Sequence, residues 1–164
     1  MKLKVFLAIA FLVFPVFANQ QKTKKYIGYR HKGVVVNATL PNGVKHLGGG
    51  LLSDERYGVS RYEKDGKLML WFEKVTSRNS EGVPNWVVKD VLSIGNIKRN
   101  EELLYSYSST CKQNDKVNLD LIVKAELLPN KKGYKVLQAW KANVKNEKFE
   151  TAQIKGIKCE YAAP

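Results

Sequence analysis

The side chains best suited to acid–base, nucleophilic or metal chemistry in this 164-residue chain are few: His31 and His46, Cys111 and Cys159, and 15 carboxylates. General acid–base or nucleophilic catalysis needs a base held beside a nucleophile, usually with a third group to orient it. Both histidines fall in a basic N-terminal stretch with no carboxylate close by in sequence. No Gly-x-Ser-x-Gly elbow occurs anywhere. They read as ordinary surface or loop residues. A pair of carboxylates could hydrolyse a glycoside without any visible motif, and Glu73, Asp90, Glu101, Glu102, Asp115 and Asp120 are available, but nothing singles out two of them. Asp90 falls between Val88 and Leu92 on an alternating pattern, which turns it inward, where a carboxylate has to be paired or hydrogen-bonded. A salt bridge or backbone contact is the expected explanation, and no catalytic residue is assigned.

Metal and phosphate chemistry have less to work with. There is no His-x-x-x-His, EF-hand loop or Cys cluster. Gly48-Gly49-Gly50 lacks the Lys-Ser/Thr of a phosphate loop and reads as a plain flexible turn. No metal and no cofactor is expected.

Charge combined with aromatic rings is the stronger signal. Lys and Arg number 28 against 15 acids, a net +13. Lys22, Lys24, Lys25, Tyr26, Tyr29, Arg30 and Lys32 interleave cations with two tyrosines, and Arg61-Tyr62 and residues 132–135 repeat the theme. Cations neutralise anionic polymers and aromatic faces stack on rings, so these seven residues are the candidate anionic-ligand site. The competing reading is that the charge serves solubility while Tyr26 and Tyr29 pack on the sheet. Trp71, Trp86 and Trp140 fall within predicted strands and are expected in the core.

The N-terminus specifies an address. Met1-Lys2-Leu3-Lys4 is followed by an unbroken apolar run over residues 5–14, then Pro15 and Val16-Phe17-Ala18. This is the layout of a secretory signal peptide, and the run is too short to span a bilayer comfortably. Export to a periplasm or medium is expected, with residues 1–18 removed. From Asn19 onward 26 bases face 15 acids, a net +11. Residues 19–33 form a basic polar lead-in, residues 34–164 a single β domain, and no later segment is apolar enough to span a membrane. An exported chain with two cysteines and no metal-ligand spacing is read as holding one Cys111–Cys159 disulfide. Asn37-Ala38-Thr39 fits a glycosylation sequon, a match that chance alone supplies in a chain so rich in Asn, Ser and Thr.

The elements that must position these residues are mainly strands. Val117, Leu119, Leu121, Val123 and Ala125 alternate with polar residues, broken only by Ile122. Asp65-Gly66 is a hairpin signal joining residues 57–64 to the more apolar 68–75. Residues 86–94, 103–111, 134–144 and 149–161 complete the set, and 97–104 is the best candidate for a short helix. The fold class is all-β, a mainly antiparallel sandwich or partly open barrel with at most a short helix and one intramolecular disulfide.

Met69-Leu70-Trp71-Phe72-Glu73-Lys74, then Trp86-Val87-Val88-Lys89-Asp90-Val91-Leu92, Cys111, Ala139-Trp140-Lys141-Ala142-Asn143 and Gly156-Ile157-Lys158-Cys159-Glu160 follow one another in an order that resembles a group of small exported bacterial proteins. The resemblance covers roughly residues 66–161. It implies a bacterial envelope or secreted setting and supports the disulfide, and it carries no activity, substrate or catalytic residue to transfer. The function expected is a non-enzymatic envelope module binding an acidic polymer or protein partner, with no nucleic acid. The alternatives are a cryptic carboxylate hydrolase and a periplasmic inhibitor or partner protein.

Overall fold

A computed structural model describes residues 23–105, 110–129 and 133–160. The strands are β1 (Arg30–Lys32), β2 (Lys45–Leu51), β3 (Tyr57–Lys64), β4 (Lys67–Arg78), β5 (Pro84–Gly95), β6 (Glu101–Tyr105), β7 (Thr110–Gln113), β8 (Lys116–Val117), β9 (Leu121–Leu127), β10 (Tyr134–Asn143), β11 (Lys148–Thr151) and β12 (Ile157–Glu160), preceded by one 3-10 turn at Lys24–Tyr26. They form three antiparallel sheets, ordered β1-β5-β4-β3-β2, β11-β10-β9-β6 and β12-β7-β8. The all-β class and the disulfide are as expected.

Local sequence explains the longest ribbon. Asp65 and Gly66 both take positive φ, 51° and 70°, as a two-residue hairpin turn demands, and Lys64 pairs with Lys67 across it. β4 then carries Leu70, Trp71, Phe72 and Glu73 as four consecutive buried residues. A strand with one wet face cannot do this, so the five-stranded sheet is covered on both sides. Leu70 and Phe72 pack with Leu103, Ile122 and Ala142 of the four-stranded sheet. Trp71 packs with Tyr26, Leu40, Val44 and Tyr62, so the chain before β3 covers the opposite face.

Ile122 interrupts its alternation for the same reason. It faces the five-stranded sheet, whereas its neighbours Leu121 and Val123 face Cys111, Ile157 and Cys159 of the three-stranded sheet. Cys111 and Cys159 are directly opposite in the β7–β12 register and are bonded, Cα–Cα 4.1 Å. Both thiols lie among apolar residues, although Cys111 packs with Leu104 rather than sharing a face with Leu103 and Tyr105.

Several local expectations are corrected. Residues 97–104 hold no helix. They supply a turn and then β6, because Leu103, Leu104 and Tyr105 are all buried between neighbouring sheets. Residues 149–161 are not one strand: β11 ends at Thr151 and β12 begins at Ile157, with a turn at positive-φ Gly156 between them. Gly48-Gly49-Gly50 is not a free turn but part of β2, where the register with β3 shifts between His46 and Gly49. A Cβ on Gly49 would lie 2.5 Å from Ser60 Oγ and 2.7 Å from Ser60 Cα, so this glycine serves close strand approach. The basic lead-in also joins the fold: Arg30–Lys32 is an edge strand, and Tyr26 is buried.

Inward-facing Asp90 is satisfied by backbone, accepting from Phe149 N–H at 2.8 Å and from Val91 N–H at 2.9 Å. It ties β5 to β11. Glu147 reinforces this seam, paired with Lys74 at 2.7 Å and with Lys89, and accepting from the Tyr57 hydroxyl at 2.9 Å. Hydrogen bonds from the two lysines hold the Glu147 carboxyl at about 2, well below its usual 4.5. A carboxyl depressed in the folded state stabilises above its unfolded pKa and loses that contribution as pH falls through the folded value. Glu147→Gln is therefore expected to lower stability by about 1 kcal/mol at neutral pH, with the difference from wild type closing between pH 4.5 and about 2 in acid-titrated thermal unfolding. Cys111→Ala is expected to cost about 2–4 kcal/mol, measured by urea unfolding against the oxidised, disulfide-bonded wild-type protein.

Candidate functional site

One face of the five-stranded sheet collects polar side chains from successive strands. Register places His31 opposite Trp86, Gly58 opposite Glu73, and His46 opposite Tyr62. All of these except Gly58 line a cleft of about 230 Å³ together with Ser60, Val34, Leu51 and Pro84. Glu73 sits at its floor, 1% exposed, at a register shift between β4 and β5.

A buried carboxylate requires donors, and three converge on this one. His31 Nε2 lies 2.7 Å from Oε1, Ser60 Oγ donates to Oε2 at 2.6 Å, and the Tyr62 hydroxyl donates to Oε1 at 3.3 Å. The other ring nitrogen, His31 Nδ1, donates to the Lys32 carbonyl at 2.8 Å. A carbonyl only accepts, so Nδ1 carries a proton, and Nε2 is the nitrogen that meets Glu73. Burial lowers the His31 pKa, but the Glu73 hydrogen bond and charge, with the Lys32 carbonyl, outweigh it and raise the value above 6.5. Burial and the Glu73 charge push the Tyr62 phenol up and keep it neutral.

This arrangement resembles a catalytic triad in composition and differs from one in wiring. Ser60 and His31 both point at Glu73, and neither imidazole nitrogen retains a lone pair directed at the serine hydroxyl. A base needs that lone pair. The network is a charge-pair anchor: it holds β1 and β3 onto β4. Rings extend it, with Trp71 stacked on Tyr62 at 4.0 Å and edge-on to His31 at 6.0 Å. Both histidines are thus corrected from loop residues to buried sheet residues; the His46 ring lies 5.0 Å from Tyr62 and is 8% exposed.

The other carboxylates are also engaged. Glu101 pairs with Lys124 at 3.0 Å, Glu102 accepts from the Tyr134 hydroxyl at 2.8 Å, Asp120 accepts from Ser53 at 2.9 Å, and Asp115 lies 3.4 Å from Lys158. Among the described residues no group of three or more His, Cys, Asp or Glu could hold a metal.

The predicted basic cluster divides. Lys22 lies outside the described residues. Lys24 and Lys25 sit on the 3-10 turn, where Lys25 lines a separate cleft with Lys64 and Lys67. Tyr26 is buried with its ring 5.1 Å from Trp71, and Tyr29 packs edge-on to Trp71 at 5.8 Å, so both tyrosines anchor the segment to the sheet. Arg30 and Lys32 remain, on alternate positions of exposed β1. With Thr76, Ser77, Asn85 and Trp86 they line a second cleft of about 370 Å³ that shares His31 and Trp86 with the first. Neither cation has a carboxylate partner among the described residues.

Trp140 packs against the core and Trp71 is fully buried, as expected. Trp86 is only half-buried and forms the wall between the two clefts. Gly58 makes room for it: a Cβ there would lie 3.1 Å from the indole. Sequence reasoning missed Glu73, Ser60 and Trp86 as site residues. The signal available for Glu73 was an acid inside an otherwise apolar strand.

The chain matches no protein-family model, and no curated protein or solved structure is significantly similar to it. The resemblance drawn from motif order therefore rests on its quoted residues alone.

Removing one member of a buried pair strands the other, so His31→Ala is expected to cost about 3–5 kcal/mol in chemical unfolding. With a raised folded pKa, the pair's stabilisation is complete below pH 6.5 and is lost as pH rises through the higher folded value. Glu73→Gln leaves burial as the main influence on His31, so its NMR titration is expected to move downward from above 6.5.

Proposed function

We propose that this protein is an exported, non-enzymatic binding module of the cell envelope, and that its β1-edge cleft takes the acidic group of a polymer or protein partner. One observation carries the reading. Arg30 and Lys32 lie on an edge strand without carboxylate partners among the described residues, beside a cleft lined by the half-buried Trp86 and by Asn85, Thr76 and Ser77. Two unneutralised cations attract an anion, an indole face takes the ring or stem beside it, and the hydroxyls and amide offer neutral hydrogen bonds. The signal-peptide layout, the disulfide and the absence of any described helix long and apolar enough to cross a membrane support the exported setting. The wiring of His31, with both nitrogens engaged, favours binding over hydrolysis.

Arg30→Glu/Lys32→Glu is expected to weaken binding to polyuronate or polyphosphate by roughly tenfold, while Lys24→Glu/Lys25→Glu, an equal change in charge on the 3-10 turn, retains most of it. Titration by Trp fluorescence at two salt concentrations reads both. Equal losses from the two pairs would mean diffuse charge attraction and reject the cleft, as would a wild-type protein that binds neither polymer.

A further inference from the structure

The segment joining the two edge strands turns back at residues whose side chains run against what turns use. Ala38 N–H closes a tight turn onto the Val35 carbonyl at 3.1 Å. Turn positions favour Asn, Asp, Gly, Pro and Ser. Only Asn37, at φ 70°, conforms. Val35 is 79% exposed and Val36 58%. The backbone beneath them is firmly held: Asn37 N–H donates to the His46 carbonyl at 2.8 Å, His46 N–H donates to the Ala38 carbonyl at 2.9 Å, and His46 Nδ1 lies 3.3 Å from the Val35 carbonyl. The valines are therefore presented to solvent by an ordered turn. Leu51, 39% exposed, lines the first cleft, and Val83, 36% exposed, lies beside Gly33 of the same lining. Isolated exposed apolar residues need no explanation, but a cluster of them does.

We propose that this turn is a membrane-contact element: Val35 and Val36 enter the apolar edge of an anionic bilayer while Arg30 and Lys32 meet lipid phosphates. Three observations favour lipid over a protein groove. The turn leaves Val35 79% and Val36 58% exposed, so its apolar side chains are offered outward. Its side chains are small aliphatics, whereas protein hot spots concentrate Trp, Tyr and Arg. Arg30 and Lys32 have no carboxylate partner among the described residues, and the chain from Asn19 onward is +11, which suits the anionic surface that makes shallow apolar insertion stable. The inference shares Arg30 and Lys32 with the acidic-ligand reading, but the valines carry it.

Flotation of the purified protein with phosphatidylcholine vesicles, with and without about one-third phosphatidylglycerol, tests it. Wild type is expected to bind only the anionic vesicles. Val35→Ser/Val36→Ser, which adds no charge, is expected to lose about tenfold or more in vesicle affinity, with unchanged melting temperature and unchanged polyuronate binding. Arg30→Glu/Lys32→Glu is expected to weaken both. Polyuronate binding absent while vesicle binding stays valine-dependent would reject the acidic-ligand reading and leave this one standing. If the valine variant binds vesicles like wild type, or wild type binds none, the membrane assignment is overturned. A concentration-dependent dimer in sedimentation velocity that disperses in the valine variant would assign the patch to a second copy, and likewise overturn it.

Discussion

A carboxylate buried at the centre of a five-stranded sheet is the constraint around which this structure is arranged. Glu73 can occupy its position only because His31, Ser60 and Tyr62 reach it from the strands beside and beyond β4. A carboxylate left without donors in such a place costs several kcal/mol. The consequence is topological: β1 must lie close enough for His31 to meet Glu73, which holds the basic N-terminal segment on the sheet. A buried pair of this kind contributes little net stability against an apolar replacement, and breaking it is expensive. Its contribution here is to fix the position of the edge strand.

Once β1 is fixed, its alternation sorts the charge. His31 turns inward, and Arg30 and Lys32, one residue to either side, turn outward. The same three residues thus supply the anchor and the exposed cations. Tyr26 and Tyr29 bind the preceding chain to Trp71 by ring contacts, which aromatic pairs strengthen beyond their buried area. The glycines finish the cleft. Gly49 lets β2 lie against Ser60, and Gly58 lets the Trp86 indole cross β3. A Cβ at Gly49 would collide with Ser60, and one at Gly58 would crowd the Gly50 carbonyl oxygen and the Trp86 indole at 3.0 and 3.1 Å.

Layering explains the rest of the core. The five-stranded and four-stranded sheets each bury both faces, one between them and one beneath the N-terminal chain or the disulfide-bonded three-stranded sheet. Burying every face leaves few places for acids to face inward, and those that do are spent on joints. Asp90 caps Phe149, and Glu147 gathers Lys74, Lys89 and the Tyr57 hydroxyl. Such internal use of carboxylates leaves the surplus of lysine and arginine at the surface, where it governs what the protein can approach.

Local chemistry made much of this legible from sequence. Asp65-Gly66 dictates a tight hairpin because residues tolerant of positive φ fit it, and period-two alternation locates β9, although Val117 and Leu119, which begin that pattern, lie outside β9 and are exposed. Two cysteines allow a single pairing. The interruption at Ile122 and the acid within Leu70-Trp71-Phe72-Glu73 were visible too, but their meaning depends on what lies above and below the strand. That is decided by sheet packing, which brings together residues far apart in the chain. Residues 97–104 show the limit from the other side: a short segment with apolar residues only at Ile97, Leu103 and Leu104 fits helix or strand until neighbouring sheets claim its faces. His31 and Glu73 are 42 residues apart, and no spacing rule links them. Gly48-Gly49-Gly50 reads as flexible because glycine permits freedom locally, whereas the fold uses its lack of a side chain. Sequence determined the β class, the Asp65-Gly66 hairpin and the single possible cysteine pairing; tertiary structure alone decided where several strands begin and end, which charges are buried, and where a cleft forms between them.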